Sequence, residues 1–285
     1  MIKARVLFLR EDGETLTFGD PDFPILSMEG IGKIAPEVFT RKKAVDHGSL
    51  ITGYRIPERE FTIQAEAIDA NANRESLSVL NRFFNPVYIF DVTITYLGDS
   101  RTARGCRIRK FDDGAGGNIH KPVLTSVTFL YPDAFFLSTD EFGQDIAGVR
   151  GGLVFPYRHV SNTPMAFGVL AFGGRVQIYN DGDVPTYVKA KFVFTGTCTN
   201  PSIHKGDAYV KILGTFSAGQ TLVLDAYEKS AKLNGTNVST KVEKGSRWNE
   251  LTLDLGDNVI SYDADFGSNN VSVYIYYSKR YLGIN

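Results

Sequence analysis

Apolar and polar residues alternate along much of this chain with a period of two. In Glu58 to Ala67, Phe61, Ile63, Ala65 and Ala67 fall on one face, with Glu60, Thr62, Gln64 and Glu66 on the other. Tyr88, Phe90, Val92, Ile94 and Tyr96 form a second apolar row opposite Asp91, Thr93 and Thr95. Val123, Thr125, Val127, Phe129 and Tyr131 form a third. Successive side chains of a strand point to opposite faces, so these rows predict antiparallel strands with one face in a core and one in water. One stretch departs from the pattern. Between Asn73 and Phe84, Leu77, Leu80 and Phe84 recur at three- and four-residue steps, with Val79 and Phe83 widening the stripe. That spacing predicts an amphipathic helix over 73–84, capped by Asn71 or Asn73 and stopped by Asn85-Pro86. A short helix among strands predicts a plug for the open side of a sandwich.

After Tyr131 the alternation fails. Pro132, Gly143, Gly148, Gly151, Gly152, Pro156 and Pro164 punctuate an irregular stretch, read as a connector over 136–173 packed on the first domain. Alternation restarts near Gly174 with Val176 and Ile178, then Val188, Ala190, Phe192 and Phe194. Further strands are expected at Tyr209–Ile212, Thr221–Ala226, Leu251–Leu253 and Val271–Tyr277, and Asn234-Gly235 reads as a tight two-residue hairpin. Strands at a spacing of about ten residues predict a sandwich or jelly roll. The expected organisation is all-β with one short helix: residues 1–135, a connector, and a second β-sandwich over 174–285.

Composition supports that class, with 20 Phe, 14 Tyr and 28 Gly in 285 residues. The charge is balanced, 31 basic against 32 acidic side chains, which excludes a dedicated nucleic-acid binder with its clear basic excess. The longest N-terminal apolar run is Val6 to Leu9, shorter than a secretion signal and far shorter than the about 20 residues of a membrane helix. These features predict folding in a cytoplasm and no membrane insertion. Cys106 and Cys198, far apart in the chain, are expected as buried apolar residues.

Candidate chemistry is sparse. His47, His120, His159 and His204 lie in no nucleophile motif, and no phosphate-binding glycine loop follows a strand. The Asp254–Asn258 segment is too short to converge the six to eight oxygens of a calcium site and reads as a turn. Trp248 beside Leu251 and Leu253 reads as packing rather than a sugar platform. No catalytic, cofactor-binding or metal-binding residues are expected. Arg101, Arg104, Arg107, Arg109 and Lys110 form a basic run without an acid. With Cys106 and Ile108 inward, Arg107 and Arg109 point out; no stacking aromatics interleave, so the run reads as a solvated face or a subunit contact.

Several stretches resemble the distal tail proteins of long-tailed bacteriophages and related prophages. Arg59-Glu60-Phe61-Thr62-Ile63 leads through the helix into Phe83-Phe84-Asn85-Pro86, similar to the family's N-terminal ring domain. Tyr131-Pro132-Asp133-Ala134-Phe135-Phe136 resembles its exit segment, with Ala134 in place of a proline, and Gly151–Pro156 its connector. Asn180-Asp181-Gly182-Asp183 with Pro185, Thr199-Asn200-Pro201, Gly219–Asp225 and Leu255–Ile260 resemble successive turns of the second domain, with Gln220 replacing an acidic residue.

The resemblance implies a hexameric N-terminal ring domain of the tail-tube type and a galectin-like C-terminal sandwich. It places the chain in the virion at the tail tip or baseplate. There a homo-hexamer would join the tail-tube protein to the tail-associated lysin or fibre hub, with receptor-binding proteins as further partners and DNA only as passing cargo. The basic run and the glycine-rich tip Asp112–Asn118 are then the expected subunit contacts. Two other classes stand beside this reading. A carbohydrate-binding module or glycosidase would need a second exposed aromatic near Trp248 or a facing carboxylate pair. A tail-tube protein would leave 174–285 without a purpose.

Overall fold

The computed structural model describes residues 4–67, 73–114, 123–147, 149–151, 168–170 and 174–284. The chain divides into two compact units, Met1–Thr139 with Arg280–Asn285, and Asp140–Lys279.

The first unit contains strands β1 (Arg5–Arg10), β2 (Thr15–Phe18), β3 (Ile25–Glu29), β4 (Glu37–Lys42), β5 (Ser49–Arg55) and β6 (Arg59–Ala67). Helix α1 (Asn73–Phe83) follows, then β7 (Phe90–Tyr96), β8 (Asp99–Asp112), β9 (Val123–Tyr131) and β10 (Phe136–Ser138). Its sheet runs β2-β1-β7-β8-β9-β6-β3. The long strand β8 is the corner. Asp99–Cys106 pairs with β7, while Arg107–Asp112 pairs with β9. At the corner Gly105 takes φ +73° and donates its N–H to Asp91 Oδ1 at 2.9 Å. Register shifts fall on either side, at Phe90/Val92 and Ile108/Lys110. Such bulges bend a strand, which lets β8 serve both layers of the sheet.

Between the layers lies a phenylalanine core. Phe84 reaches Phe8, Phe18, Phe83 and Phe111 with ring centroids 5.1, 5.7, 5.1 and 5.2 Å away. Leu80 and Phe83 are buried with it, so the helix does plug the sandwich. Val79 departs from the expected stripe and is exposed, because a step of one residue on a helix turns it about 100° away from Leu80. Both candidate N-caps fall where side chains are outside the described residues. Cys106 is buried in this core and Cys198 in that of the second unit, each a free thiol.

The second unit begins with β11 (Phe142–Ala147), β12 (Val149–Gly151), β13 (Gly168–Leu170), β14 (Arg175–Asn180), β15 (Thr186–Tyr187) and β16 (Lys189–Phe194). It continues with β17 (Cys198–Lys205), β18 (Ala208–Lys211), β19 (Thr215–Phe216), β20 (Thr221–Asp225), β21 (Ser230–Leu233) and β22 (Thr236–Asn237). It closes with β23 (Thr252–Leu253), β24 (Gly256–Phe266) and β25 (Val271–Tyr277). Two sheets, β11-β25-β16-β20-β21-β22 and β14-β24-β17-β18 with β19, share one core. The stretch expected to be connector is divided: Phe136–Ser138 is a strand of the first unit, and Phe142–Ala147 is the edge strand against β25.

Asparagine side chains hold the turns of this sandwich. Buried Asn180 donates to the Val184 and Leu253 carbonyls and accepts from the Gly182 N–H. Asn200, at φ +51°, accepts from the Gly214 N–H at 2.7 Å and donates to Asp265 at 2.8 Å. Asn234 and Gly235 both have positive φ, joining β21 and β22 as the expected two-residue turn. A last strand, β26 (Arg280–Tyr281), returns to the first unit and pairs with β10.

Candidate assembly surfaces

The five residues of the basic run stand on β8, and the corner at Gly105 splits them. Arg101 is held inside its own unit: its guanidinium lies 3.7 Å from the Tyr281 ring and 3.7 Å from Asp99, and it donates to the Ser100 carbonyl. Arg104 is exposed just before the corner. Beyond it, Arg107 donates to the Val87 carbonyl at 3.2 Å, and Arg109 pairs with Glu60 at 2.8 Å across the sheet. Lys110 is exposed at the bulge. Cys106 and Ile108 face inward as the alternation demands, and Arg107 and Arg109 face water. Of the glycine-rich tip, residues 115–118 lie outside the described residues.

Reasoning from sequence missed a second surface. Among the described residues β4 and β5 pair only with each other, as a ribbon with Glu37 opposite Arg55 and Lys42 opposite Ser49. Every side chain from 37 to 55 is exposed, with Gly53 alone half-covered. Yet the ribbon carries Val38, Phe39, Val45, Leu50, Ile51 and Tyr54, each between 49% and 99% exposed. An isolated two-stranded ribbon is marginal in water, and an exposed apolar patch of this kind marks an interaction site. The one signal in the sequence was the pair of apolar steps Val38-Phe39 and Leu50-Ile51 on either side of the charged and glycine-containing segment Arg41–Ser49. Without a periodic pattern it reads as a loop.

The remaining candidates for chemistry are accounted for locally. Asp254 pairs with Lys205 at 2.6 Å, while Asn258 closes that turn by donating to the Asp254 and Gly256 carbonyls. Among the described residues no cluster of His, Cys, Asp and Glu is arranged to hold a metal. Trp248 is half-buried against the second core, on a short 3-10 turn, as the packing reading expects. His204 shares a 2.8 Å hydrogen bond with Ser202 Oγ and stacks on Tyr209, and burial lowers its pKa from the ordinary value. His47 lies on the exposed ribbon tip; His120 and His159 are outside the described residues. Among the described residues no helix is long and apolar enough to cross a membrane.

Residues 181–281 match the family model described as siphovirus-type tail component, C-terminal domain. No curated protein sequence matches the chain. Among solved structures, the chain is similar to the SPP1 Dit protein, gp 19.1, described as a paradigm of the hub adsorption apparatus of phages infecting Gram-positive bacteria. That likeness has a TM-score of 0.67 at 17% identity and covers 96% of this chain and 98% of that one. A chain of the phage p2 baseplate in its activated conformation with strontium matches with a TM-score of 0.57 at 8% identity, covering 97% of this chain and 98% of that one. The calcium form of that baseplate matches at 0.54 and 8% identity, covering 96% and 98%. Residues 181–281 therefore match the model of the siphovirus-type tail components, and the chain as a whole shares the fold of the SPP1 Dit protein.

Proposed function

We propose that this protein is a structural hub of a phage tail tip: a homo-hexameric ring that joins the tail tube to the tail-associated lysin or fibre hub. The observation that carries the reading is the β4–β5 ribbon. A closed ring needs heterologous contacts, in which one surface of a subunit meets a different surface of the next. An apolar ribbon standing clear of its own core is such a surface, and a second copy covering it removes both the exposed patch and the instability of the lone ribbon. The fold shared with a phage hub protein and with baseplate chains supports the same reading, as does the tail-component domain at 181–281.

In this reading the protein has no catalytic role, DNA passes through the ring as cargo, and rings assemble in the cytoplasm of the bacterial host. The second unit is the carrier for receptor-binding proteins. The exposed basic residues of β8 contribute orientation to the subunit contact, since rim charges set register more than affinity. Electron microscopy of negatively stained protein at high concentration should show sixfold rings. Ile51→Asp and Tyr54→Asp should abolish them while leaving circular dichroism and melting unchanged. A chain that stays monomeric, and that also fails to form rings with its tail-tube and lysin partners, overturns the proposal.

A further inference from the structure

The two feet of the ribbon meet at one buried side chain. Arg59 opens β6 four residues after the ribbon ends at Arg55, and only 1% of it is exposed. Nη1 donates to the Gly30 and Gly32 carbonyls at 2.8 and 2.6 Å, in the stretch that leads into β4. Nε and Nη2 donate to the Ala134 carbonyl at 3.3 and 3.2 Å, and Nη2 also donates to the Leu282 carbonyl at 2.5 Å. All five donors of the guanidinium are thereby used on backbone carbonyls. Its plane lies 4.5 Å from the Phe136 ring, and among the described residues no carboxylate pairs with it. Arg59 therefore ties the ribbon's incoming strand, its outgoing strand and the Arg280–Ile284 segment into one knot.

That segment grips the same foot independently. Ile284 donates its N–H to the Ile31 carbonyl at 2.9 Å and buries its side chain in the first core. Gly283 lies so close to the incoming strand that a Cβ there would fall 2.7 Å from the Gly32 carbonyl carbon and 2.9 Å from Lys33 N. Upstream, Arg280 donates to both carboxylate oxygens of Asp133 at 2.8 and 2.9 Å and lies over the Phe135 ring. Tyr281 pairs with Phe136 and supports Arg101. The segment is thus anchored at Asp133 and Phe136 and presses its far end on residues 31–33, just before the ribbon begins.

We propose that Arg280–Ile284 is a clamp that sets the direction of the β4–β5 ribbon, with Arg59 as its positioning residue, so that contact with a second copy requires the clamp in place. This inference rests on the ring reading above. The ribbon's own ladder fixes its internal register but nothing about where it points; among the described residues its feet do that, and the feet are held by the knot. Ordering a loose contact element during association costs affinity that a preorganised element keeps.

The test compares the full chain with a chain lacking residues 280–285 and with Gly283→Ala, which presses the clamp off Gly32 while keeping every residue of the core in the chain. Two readouts are taken: the concentration of half-maximal ring assembly, and amide hydrogen exchange of 37–55 against that of β6–β9. The clamp predicts that Gly283→Ala keeps core protection, and that both variants exchange faster along the ribbon and assemble at concentrations raised about tenfold or more. Variants that assemble and exchange like the full chain overturn the clamp. Where the shortened chain fails to fold, Gly283→Ala alone decides. If the full chain itself forms no ring, the ring reading falls, and the ribbon exchange of Gly283→Ala still decides the clamp: unchanged exchange overturns it.

Discussion

Arg10 and Arg59 are both buried, and their donors are satisfied in different ways. Arg10 donates from Nε and Nη2 to Asp12 at 2.9 and 2.6 Å, pairs with Glu14 at 2.8 Å, and caps the end of α1 through the Arg82 and Phe83 carbonyls. The hydrogen bonds from Arg10 hold the Asp12 carboxyl below its ordinary pKa. With the folded value under the unfolded one, the pair stabilises fully above the usual carboxylate pKa of about 3.9 and fades as pH falls through the depressed value. Asp12→Asn should therefore lower stability at neutral pH and flatten the acid limb of a pH–stability curve; an unchanged limb would uncouple the pair from folding. Among the described residues Arg59 has only backbone carbonyls as hydrogen-bond acceptors, and burial pulls its pKa down from the ordinary value. Arg59→Met strips four carbonyls of their donors, of which the buried Ala134 carbonyl alone costs about 1–3 kcal/mol before relaxation and the part-buried Gly30, Gly32 and Leu282 carbonyls less. A loss of about 3 kcal/mol or more in denaturant unfolding is expected, and a loss under about 1 kcal/mol would show that water replaces the guanidinium. Lysine offers three donors and no planar fork, so Arg59→Lys should recover little.

Among the elements, the edge strand β11 has the clearest consequence. Its backbone pairs with β25 from Phe142–Tyr277 to Ala147–Val273, and the Phe142 ring stacks on Tyr277 at 5.5 Å. A fragment starting at Gly174 leaves β25 as a bare edge, with unpaired backbone groups open to association. A fragment of Asp140–Lys279 keeps the edge covered. We expect Asp140–Lys279 to unfold as one cooperative transition and the Gly174 fragment to melt lower or aggregate. Equal melting of the two would show that the edge strand adds nothing. The first unit should not fold as well without Arg280–Asn285, since β26 completes the β10 edge and Ile284 fills its core.

For the whole molecule, the electrostatics of the corner strand bear on assembly. Arg109 is paired with Glu60 and Arg101 is held by Tyr281 and Asp99, so within the run Arg104, Arg107 and Lys110 are the residues most open to a neighbour. Reversing Arg104 and Arg107 to Glu should weaken ring formation, with the loss greatest at low ionic strength, where surface charges are least screened. Light scattering across a salt series measures this. A ring indifferent to the reversal would remove these residues from the interface and leave the ribbon as its main contact.

Much of this architecture was legible because it depends on neighbours in sequence. The period of two marks strands β6, β7, β9 and β25, since side chains of any strand alternate between its faces. The three- and four-residue steps mark α1, and Asn234-Gly235 marks its turn, because the positive φ of both residues is a local property. Other features exist only through partners distant in the chain. Arg59 looked like one more polar residue of a strand, and its Leu282 partner lies 223 residues away. The basic run looked continuous until a bulge at Gly105 turned its halves into different layers. Burial also decides the ribbon: the same apolar residues would be core if a sheet covered them, and no local pattern records that the fold leaves 37–55 uncovered. Local sequence sets which backbone conformations are cheap, while which surfaces remain to be covered depends on how all the strands pack together.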